Sequence, residues 1–516
     1  MLCSEIFTDG GFMMEYFKQT LKVKRLGIDT YNESVIYIRE DSYICQAEGF
    51  ESQARIRIRF EDTCIIATLN IVKSNLLEPG EAGLSEHALM LLSSKEGDEI
   101  YLSHPEPLHS LSDVRGKIYG EEFSEASMAE IINDVVAGRY SDIHISSFLT
   151  ACAGNRLNQQ EIIGLTKAMI QVGARIAWSQ QLVVDKHCVG GLPGNKTTLI
   201  VVPIVAAFGL TIPKTSSRAI TSAAGTADAM ETLAPVDLSF PKMQEVVERE
   251  SGCIVWGGSV LLSPADDILI SVERALDLDG EGQLVASVLS KKIAAGSNHV
   301  VIDVPVGPTA KVRSRDSADI LKVYLEEVGK KLGIEVKVVY SDGLQPVGYG
   351  IGPALSARDV LAVLQGKKEA PQDLREHSLD LAGHVLEFSA RVNPGEGKLL
   401  AKEILDSGKA WSKFQAICEA QGGMRELPKA PYMHTCVAKK EGVIKGIDNR
   451  RIARVGKLAG APVAKAAGVD LHIKVNARVE KKQPLFTIHA ESQGELEYAL
   501  NFVEMDGNLI QIENEK

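Results

Sequence analysis

From about Leu182 to Leu344 the chain repeats one pattern. Apolar runs of strand length, "QLVVDKH", "TTLIVVPIVAAFG", "VVIDVPVG" and "IEVKVVYSD", are separated by segments of helical spacing. Strands that alternate with helices predict a mainly parallel sheet covered by helices. Open sheets of this kind bind ligands beyond the carboxyl ends of their strands. Two segments fall at that edge: "VVDKHCVGGLPGNKTT" (183–198) and "TSSRAITSAAGTADAMETL" (215–233), both rich in glycine, hydroxyls and small side chains.

The rest of the chain is organised around this layer. Residues from about 20 to 105 are β-rich. In "ARIRIRF" (54–60) Arg55, Arg57 and Arg59 alternate with Ile56, Ile58 and Phe60, so the arginines form either a solvated face or an anion-facing strand. "SHPEPLHSLSD" (103–113) has linker composition. "MAEIINDVVAG" has helical spacing and ends at Gly138, a plausible cap; "LNQQEIIGLTKAMIQVG" (157–173) repeats the design, and the two helices are expected to pack together. Residues 353–420 are mostly helical, and from about 431 short strands with glycine turns return. At 516 residues the chain exceeds what one core organises. The expected fold is α/β and multi-domain. It comprises an N-terminal β-rich domain (1–107), a small helical domain (108–181) joined by helices from about 264–296, a central α/β domain with a mainly parallel sheet (182–430), and a C-terminal α+β domain (431–516).

Composition narrows the function classes. The net charge of −12 gives a nucleic-acid groove no overall support, while a local basic pocket for a small anion stays open. None of the eight cysteines forms C-x-x-C and no His/Cys ladder has zinc spacing, so no metal site is expected. Scattered cysteines fit a reducing compartment. The start, "MLCSEIFTDGGFMMEYF", is acidic where a signal peptide is basic. The longest apolar run (198–210) is too short to span a bilayer and carries Pro203. The expectation is a cytoplasmic protein with no membrane or nucleic-acid polymer partner.

The two segments carry the chemistry. In the first, a strand is expected to end at Val184, followed by a Gly-rich loop and a helix. Backbone N–H groups there and the helix N-terminus favour an anion, with Lys186 adding a full charge and Thr197 and Thr198 adding hydroxyls. A Walker A loop is excluded, because Asn195 separates Gly194 from Lys196. In the second, "FGLTIPK" rises as a strand, and Asp228 followed by Glu231 gives a capping-box-like helix start. Ser216, Ser217, Thr221, Ser222 and Thr226 crowd the loop before it. Two anion-friendly loops so close together predict a phosphate site. Farther on, "LDLDGEGQLVASVLSKKIAAGS" (276–297) sets Ser287 and Lys291 on one helix face, with Asp279 placed as an N-cap.

Together, "DKHCVGGLPGNKTTLIVVPIVAAFG" and "TSSRAITSAAGTADAMETLAPV" resemble the thymidine phosphorylase family, in the branch shared by the longer bacterial thymidine phosphorylases and the archaeal AMP phosphorylases. The family pattern S-G-R-G-x-x-x-T-G-G-T-x-D-x-x-E survives in degenerate form as Ser216-Ser217-Arg218-Ala219, Gly225-Thr226, Asp228 and Glu231, and the resemblance runs from about residue 110 to the C-terminus. It implies reversible phosphorolysis, in which inorganic phosphate is co-substrate and no cofactor is needed. Phosphate attacks C1′ of a nucleoside through an oxocarbenium-like state and releases the base.

The resemblance also implies roles. Lys186, Gly190, Gly191, Thr198, Ser216 and Thr226 match the phosphate-binding set. His187 matches the histidine near the base, a proton donor. Ser287 and Lys291 match the pair that contacts a pyrimidine. In the AMP branch the substrate positions match Gly191, Ser217, Arg218, Ala219, Ile220, Thr221, Ser222, Thr226, Ser287 and Lys311, and Asp279 matches the proton donor, a role that needs a raised pKa. Two positions depart from the family. Cys188 stands where the family has serine, and the base-binding arginine of the short enzymes falls at Val272.

The expected reaction converts thymidine and phosphate to thymine and 2-deoxyribose 1-phosphate. The alternative is phosphorolysis of a nucleoside 5′-monophosphate of AMP type to base and ribose 1,5-bisphosphate, with the loop around Arg218 holding the 5′-phosphate. A homodimer or larger homo-oligomer is implied, as is closure of the helical domain against the α/β domain. Two other classes stay in view. The tail "VDLHIKVNARVEKKQPLFTIHA" resembles a lipoyl or biotinyl carrier but lacks an M-K-M-like tip, and a binding protein without catalysis is the other.

Overall fold

The computed structural model describes residues 20–514, except positions 32, 191, 220, 221, 261, 277, 279 and 507. Two compact units form. One comprises the residues up to 121 with 133–148, the other residues 122–132 with 149–516. The division passes through the segment expected as one helical domain, because the helices Glu125–Val136 and Asp142–Cys152 each begin in one unit and end in the other.

The first unit holds a closed barrel of six strands: β1 (Thr20–Arg25), β2 (Val35–Arg39), β3 (Arg55–Phe60), β4 (Thr63–Val72), β5 (Glu81–Leu84) and β6 (Glu99–Ser103), in the order β1-β5-β2-β4-β3-β6. Strand β3 alternates as expected, with Ile56 and Ile58 in the core. Protein groups occupy its arginine face. Arg55 donates to Thr68 Oγ1 at 2.9 Å and to the Gly138 carbonyl at 2.6 Å, Arg57 lies 3.9 Å from Glu106, and Arg59 sits over the Tyr101 ring.

The second unit holds the expected parallel sheet. Its strands are β7 (Val184–Cys188), β8 (Ile212–Ser216), β9 (Gly252–Trp256), β10 (His299–Val306) and β11 (Glu335–Asp342). The trio β11-β10-β7 and the pair β8-β9 are all parallel, and a parallel bridge between Val183 and Thr211 joins them. The helix Thr198–Phe208 is apolar on every side and lies buried against the helices Gln372–Leu386 and Lys409–Gln421. The helix Gln159–Gln171 opens on a reciprocal cap between Asn158 and Glu161 and packs on the helix Glu281–Ala294. At the far end, the short strand Gly350–Ile351 pairs with Gly468–Leu471, which leads through Pro484–Ala490 to Tyr432–Val437. The C-terminal strands therefore form a sheet of their own that takes in the short strand Gly350–Ile351, and Arg358 clamps Asp470 through bonds of 2.8 and 2.7 Å.

One boundary differs from the sequence reading. The strand expected to end at Val184 begins there, so Lys186, His187 and Cys188 are strand residues, not loop residues. Charged residues signal a loop only when nothing inside can neutralise them. Here Asp185 is fully buried between two lysine ammoniums, Lys292 Nζ at 2.7 Å and Lys214 Nζ at 3.3 Å.

Candidate active site

Strand alternation sorts the residues of β7 onto two faces. Asp185 and His187 share one face with Lys214 and Lys292. Lys186 and Cys188 share the other, where Cys188 sits directly opposite Asp303 of β10. Lys186 Nζ donates to Thr197 Oγ1 at 2.6 Å and lies 4.0 Å from Asp303 Oδ2. Thr197 Oγ1 donates to Asn195 Oδ1, and the Asn195 amide reaches both Cys188 Sγ and Asp303 Oδ2 at 3.3 Å. His377 Nε2 lies 3.2 Å from the same Asp303 oxygen, while the Ser341 hydroxyl donates to Oδ1 at 2.5 Å. Burial pushes the Asp303 carboxyl up, but the hydrogen bond and charge of His377, the charge of Lys186 and the Ser341 hydroxyl outweigh it, and Asp303 is held well below the usual carboxylate range.

The same burial, with the Asp303 charge, raises the Cys188 thiol to about 12. Cys188 is therefore a thiol at neutral pH, a weak donor in place of a hydroxyl. His187 moves the other way. Burial, then the charges of Lys292, Lys214, Lys291 and Lys186, hold its pKa well below the ordinary 6.5, so its imidazole is neutral near pH 7.

The first loop turns at Gly190 (φ +69°) and Gly194 (φ +73°) and delivers Thr198, 5% exposed, to the first turn of the Thr198–Phe208 helix. The second loop leaves β8 at Ser216, whose buried hydroxyl has no hydrogen-bond partner among the described residues. It ends at Thr226, the first residue of a short helix. Asp228 is the inward partner of this helix start rather than its first residue: its Oδ2 accepts the backbone N–H groups of Gly225 at 2.8 Å and Ala219 at 2.6 Å. This folds the loop so tightly that a Cβ on Gly225 would lie 2.5 Å from the Ser217 carbonyl oxygen.

The structure brings Lys186, Gly190, Thr198, Ser216 and Thr226 to the carboxyl ends of β7 and β8. Ser217 is exposed, Ala219 and Ser222 line the loop, and the Ser222 hydroxyl donates to the Ala224 carbonyl at 3.2 Å. Gly191, Ile220, Thr221 and Asp279 lie outside the described residues. Lys311 lies in the loop after β10. Ser287 and Lys291 share one helix face as expected, with Nζ 3.5 Å from Oγ, and Lys291 is also ion-paired with the buried Asp266. Val272 is buried, so no cation stands at that position.

Arg218, read from sequence as a substrate residue, is already engaged. It forms a two-bond fork with Glu231 at 2.8 and 2.9 Å, reaches Asp237 at 3.1 Å, and sits over the Trp256 ring. Lys465, from the C-terminal part, joins Glu231 at 2.6 Å. The Arg218 and Lys465 hydrogen bonds overcome partial burial and bring the Glu231 carboxyl down to about 2.

Asp185, Lys214, Lys292, Asp303, His377 and Lys196 carried no role in the sequence reading. The one signal for the first of them was a pair of opposite charges inside an otherwise apolar strand. Among the described residues no three His, Cys, Asp or Glu side chains gather in a way that could hold a metal ion.

Residues 114–173 match the model of the glycosyl transferase family, helical bundle domain, residues 180–411 that of the glycosyl transferase family, a/b domain, and residues 443–506 that of the pyrimidine nucleoside phosphorylase C-terminal domain. A Legionella pneumophila (strain Corby) protein named "Putative thymidine phosphorylase" is 63% identical over 503 residues, 97% of each chain. A Polaromonas protein of the same name is 57% identical over 492 residues, 95% of this chain and 96% of its own. Among solved structures, anthranilate phosphoribosyltransferase from Thermus thermophilus superposes with a TM-score of 0.50 at 21% identity, covering 60% of this chain and 98% of its own, a likeness of fold. The chain thus belongs to the thymidine phosphorylase family and is a glycosyltransferase of the pyrimidine nucleoside phosphorylase class.

Proposed function

We propose that the protein catalyses the reversible phosphorolysis of thymidine to thymine and 2-deoxyribose 1-phosphate. The observation that carries this reading is the buried, unpartnered Ser216 hydroxyl at the mouth of two loops that start from the ends of β7 and β8. A phosphate oxygen attacks C1′, the C1′–N bond breaks, and the base leaves with the bonding electrons and takes up a proton. In this reading Lys186, Thr198, Ser216, Thr226 and the backbone at Gly190 and Gly191 hold the phosphate. Ser287 and Lys291 face the base, and His187 and Asp279 handle the proton. The neutral His187 fits such a role. A bound phosphate dianion offsets the lysine charges that keep a proton off the ring, so the proton affinity of His187 rises once phosphate is in place.

A 5′-monophosphate substrate needs a further cation, and the one expected to serve is committed. Arg218 is surrounded by Glu231, Asp237 and Asp228, which oppose a second phosphate there. The deciding experiment incubates thymidine, uridine, AMP and CMP in parallel with inorganic phosphate and follows base release. Release from thymidine is expected. Turnover of the monophosphates alone overturns the assignment.

A further inference from the structure

Lys196 stands in the first loop, one residue after the Asn195 that breaks the Walker pattern. Its side chain is 5% exposed, yet among the described residues no side-chain hydrogen bond or ion pair holds its ammonium. A buried, unpaired cation is costly and is retained where something else neutralises it. Its titratable neighbours come from β7, which leads into the first loop, and from the helix that ends the second: Lys186 and Cys188 from the one, Asp228 from the other. Asp228 is already engaged by two backbone N–H groups, with Arg218 at 3.6 Å and Lys465 at 4.0 Å. Cys188 is a neutral thiol at this pH. The surroundings therefore leave Lys196 short of one anion, and Ser216, at the end of β8 before the second loop, has a buried hydroxyl without a partner among the described residues.

We propose that the Lys196 ammonium is a second cation of the phosphate cradle, placed between the two loops and neutralised by the bound anion. This rests on the phosphorolysis reading only in taking phosphate as the anion. Burial, against the pull of Asp228 and with repulsion from Lys186, brings the Lys196 pKa down to about 8. In mildly alkaline solution the free protein thus holds Lys196 mostly neutral, and binding a dianion draws a proton onto it. Above about pH 8 phosphate affinity should fall by about tenfold per pH unit.

The test is calorimetric titration of the full chain with inorganic phosphate at pH 8.5, in two buffers of different ionisation enthalpy. The wild type is expected to take up roughly three-quarters of a proton per phosphate. In Lys196→Met the uptake attributable to this group disappears and affinity at pH 7 weakens about tenfold or more. Lys196→Arg, whose cation does not titrate in this range, retains binding without the alkaline decline. Absence of proton uptake by the wild type, or wild-type affinity in Lys196→Met, overturns the proposal whether or not the other variant folds. Phosphate binding with this proton signature but without phosphorolysis of any nucleoside or nucleotide removes the enzyme reading and leaves Lys196 as an anion site. A wild type that binds no phosphate removes both.

Discussion

Asp185 offers the sharpest test of how this sheet tolerates charge in its interior. Its carboxylate is fully buried, 2.7 Å from Lys292 Nζ and 3.3 Å from Lys214 Nζ. At an effective dielectric constant of about 20 these separations correspond to gross attractions of about 6 and about 5 kcal/mol. The two do not add in full. Burial pushes the Lys214 ammonium well below its ordinary range, Asp185 pulls it back only in part, and Lys292 repels it. Asp185→Asn then strands a buried ammonium, for which a loss of about 3–5 kcal/mol is expected. Lys214→Met instead removes the charge that burial already disfavours and leaves Asp185 paired with Lys292, so it should change stability by no more than about 1 kcal/mol.

The assay is urea unfolding in phosphate-free buffer followed by tryptophan fluorescence, since Trp178, Trp256 and Trp411 all lie in the second unit. With a slope of about 3 kcal/mol per molar urea, Asp185→Asn should lower the midpoint by about 1–1.7 M. A shift below about 0.3 M, or an equal loss in Lys214→Met, would refute the idea that Asp185 is needed to neutralise this cluster while burial already disfavours the Lys214 charge.

Two further outcomes follow from the second loop. Glu231 has its carboxyl lowered from 4.5 to about 2, so its contribution to stability is complete above about pH 4.5 and is lost as the pH falls towards 2. Glu231→Gln should therefore melt below the wild type at pH 7, and the gap should close on titration to pH 2; a constant gap would mean the Arg218 fork is not what holds the loop. Gly225→Ala places a methyl group against the Ser217 carbonyl oxygen and the Ala219 nitrogen, at 2.5 and 2.7 Å. It should destabilise by about 1–3 kcal/mol and raise the phosphate KM, and an unchanged KM would separate this turn from the anion site.

The parts of this protein that were legible in its sequence are those whose chemistry is local. Glycines and hydroxyls within 45 residues marked both loops, and the alternation of apolar runs marked a parallel sheet, because each signal is written in adjacent residues. The Lys186 hydrogen bond to Thr197 is local, but the carboxylate beside it is written elsewhere. Asp303 comes from β10, its own partners Ser341 and His377 from β11 and from a helix far along the chain, and nothing near any of them indicates that they meet. The misplaced end of β7 has the same origin. Asp185 and Lys186 look like surface residues until Lys214 and Lys292 are brought alongside, and only the folded sheet does that. Charges inside a strand are therefore the place where sequence pattern fails first and where function concentrates. An apolar pair at Asp185 and Lys186 would have made a strand that is easier to recognise, but it would leave the buried Lys214 and Lys292 beside His187 without their carboxylate.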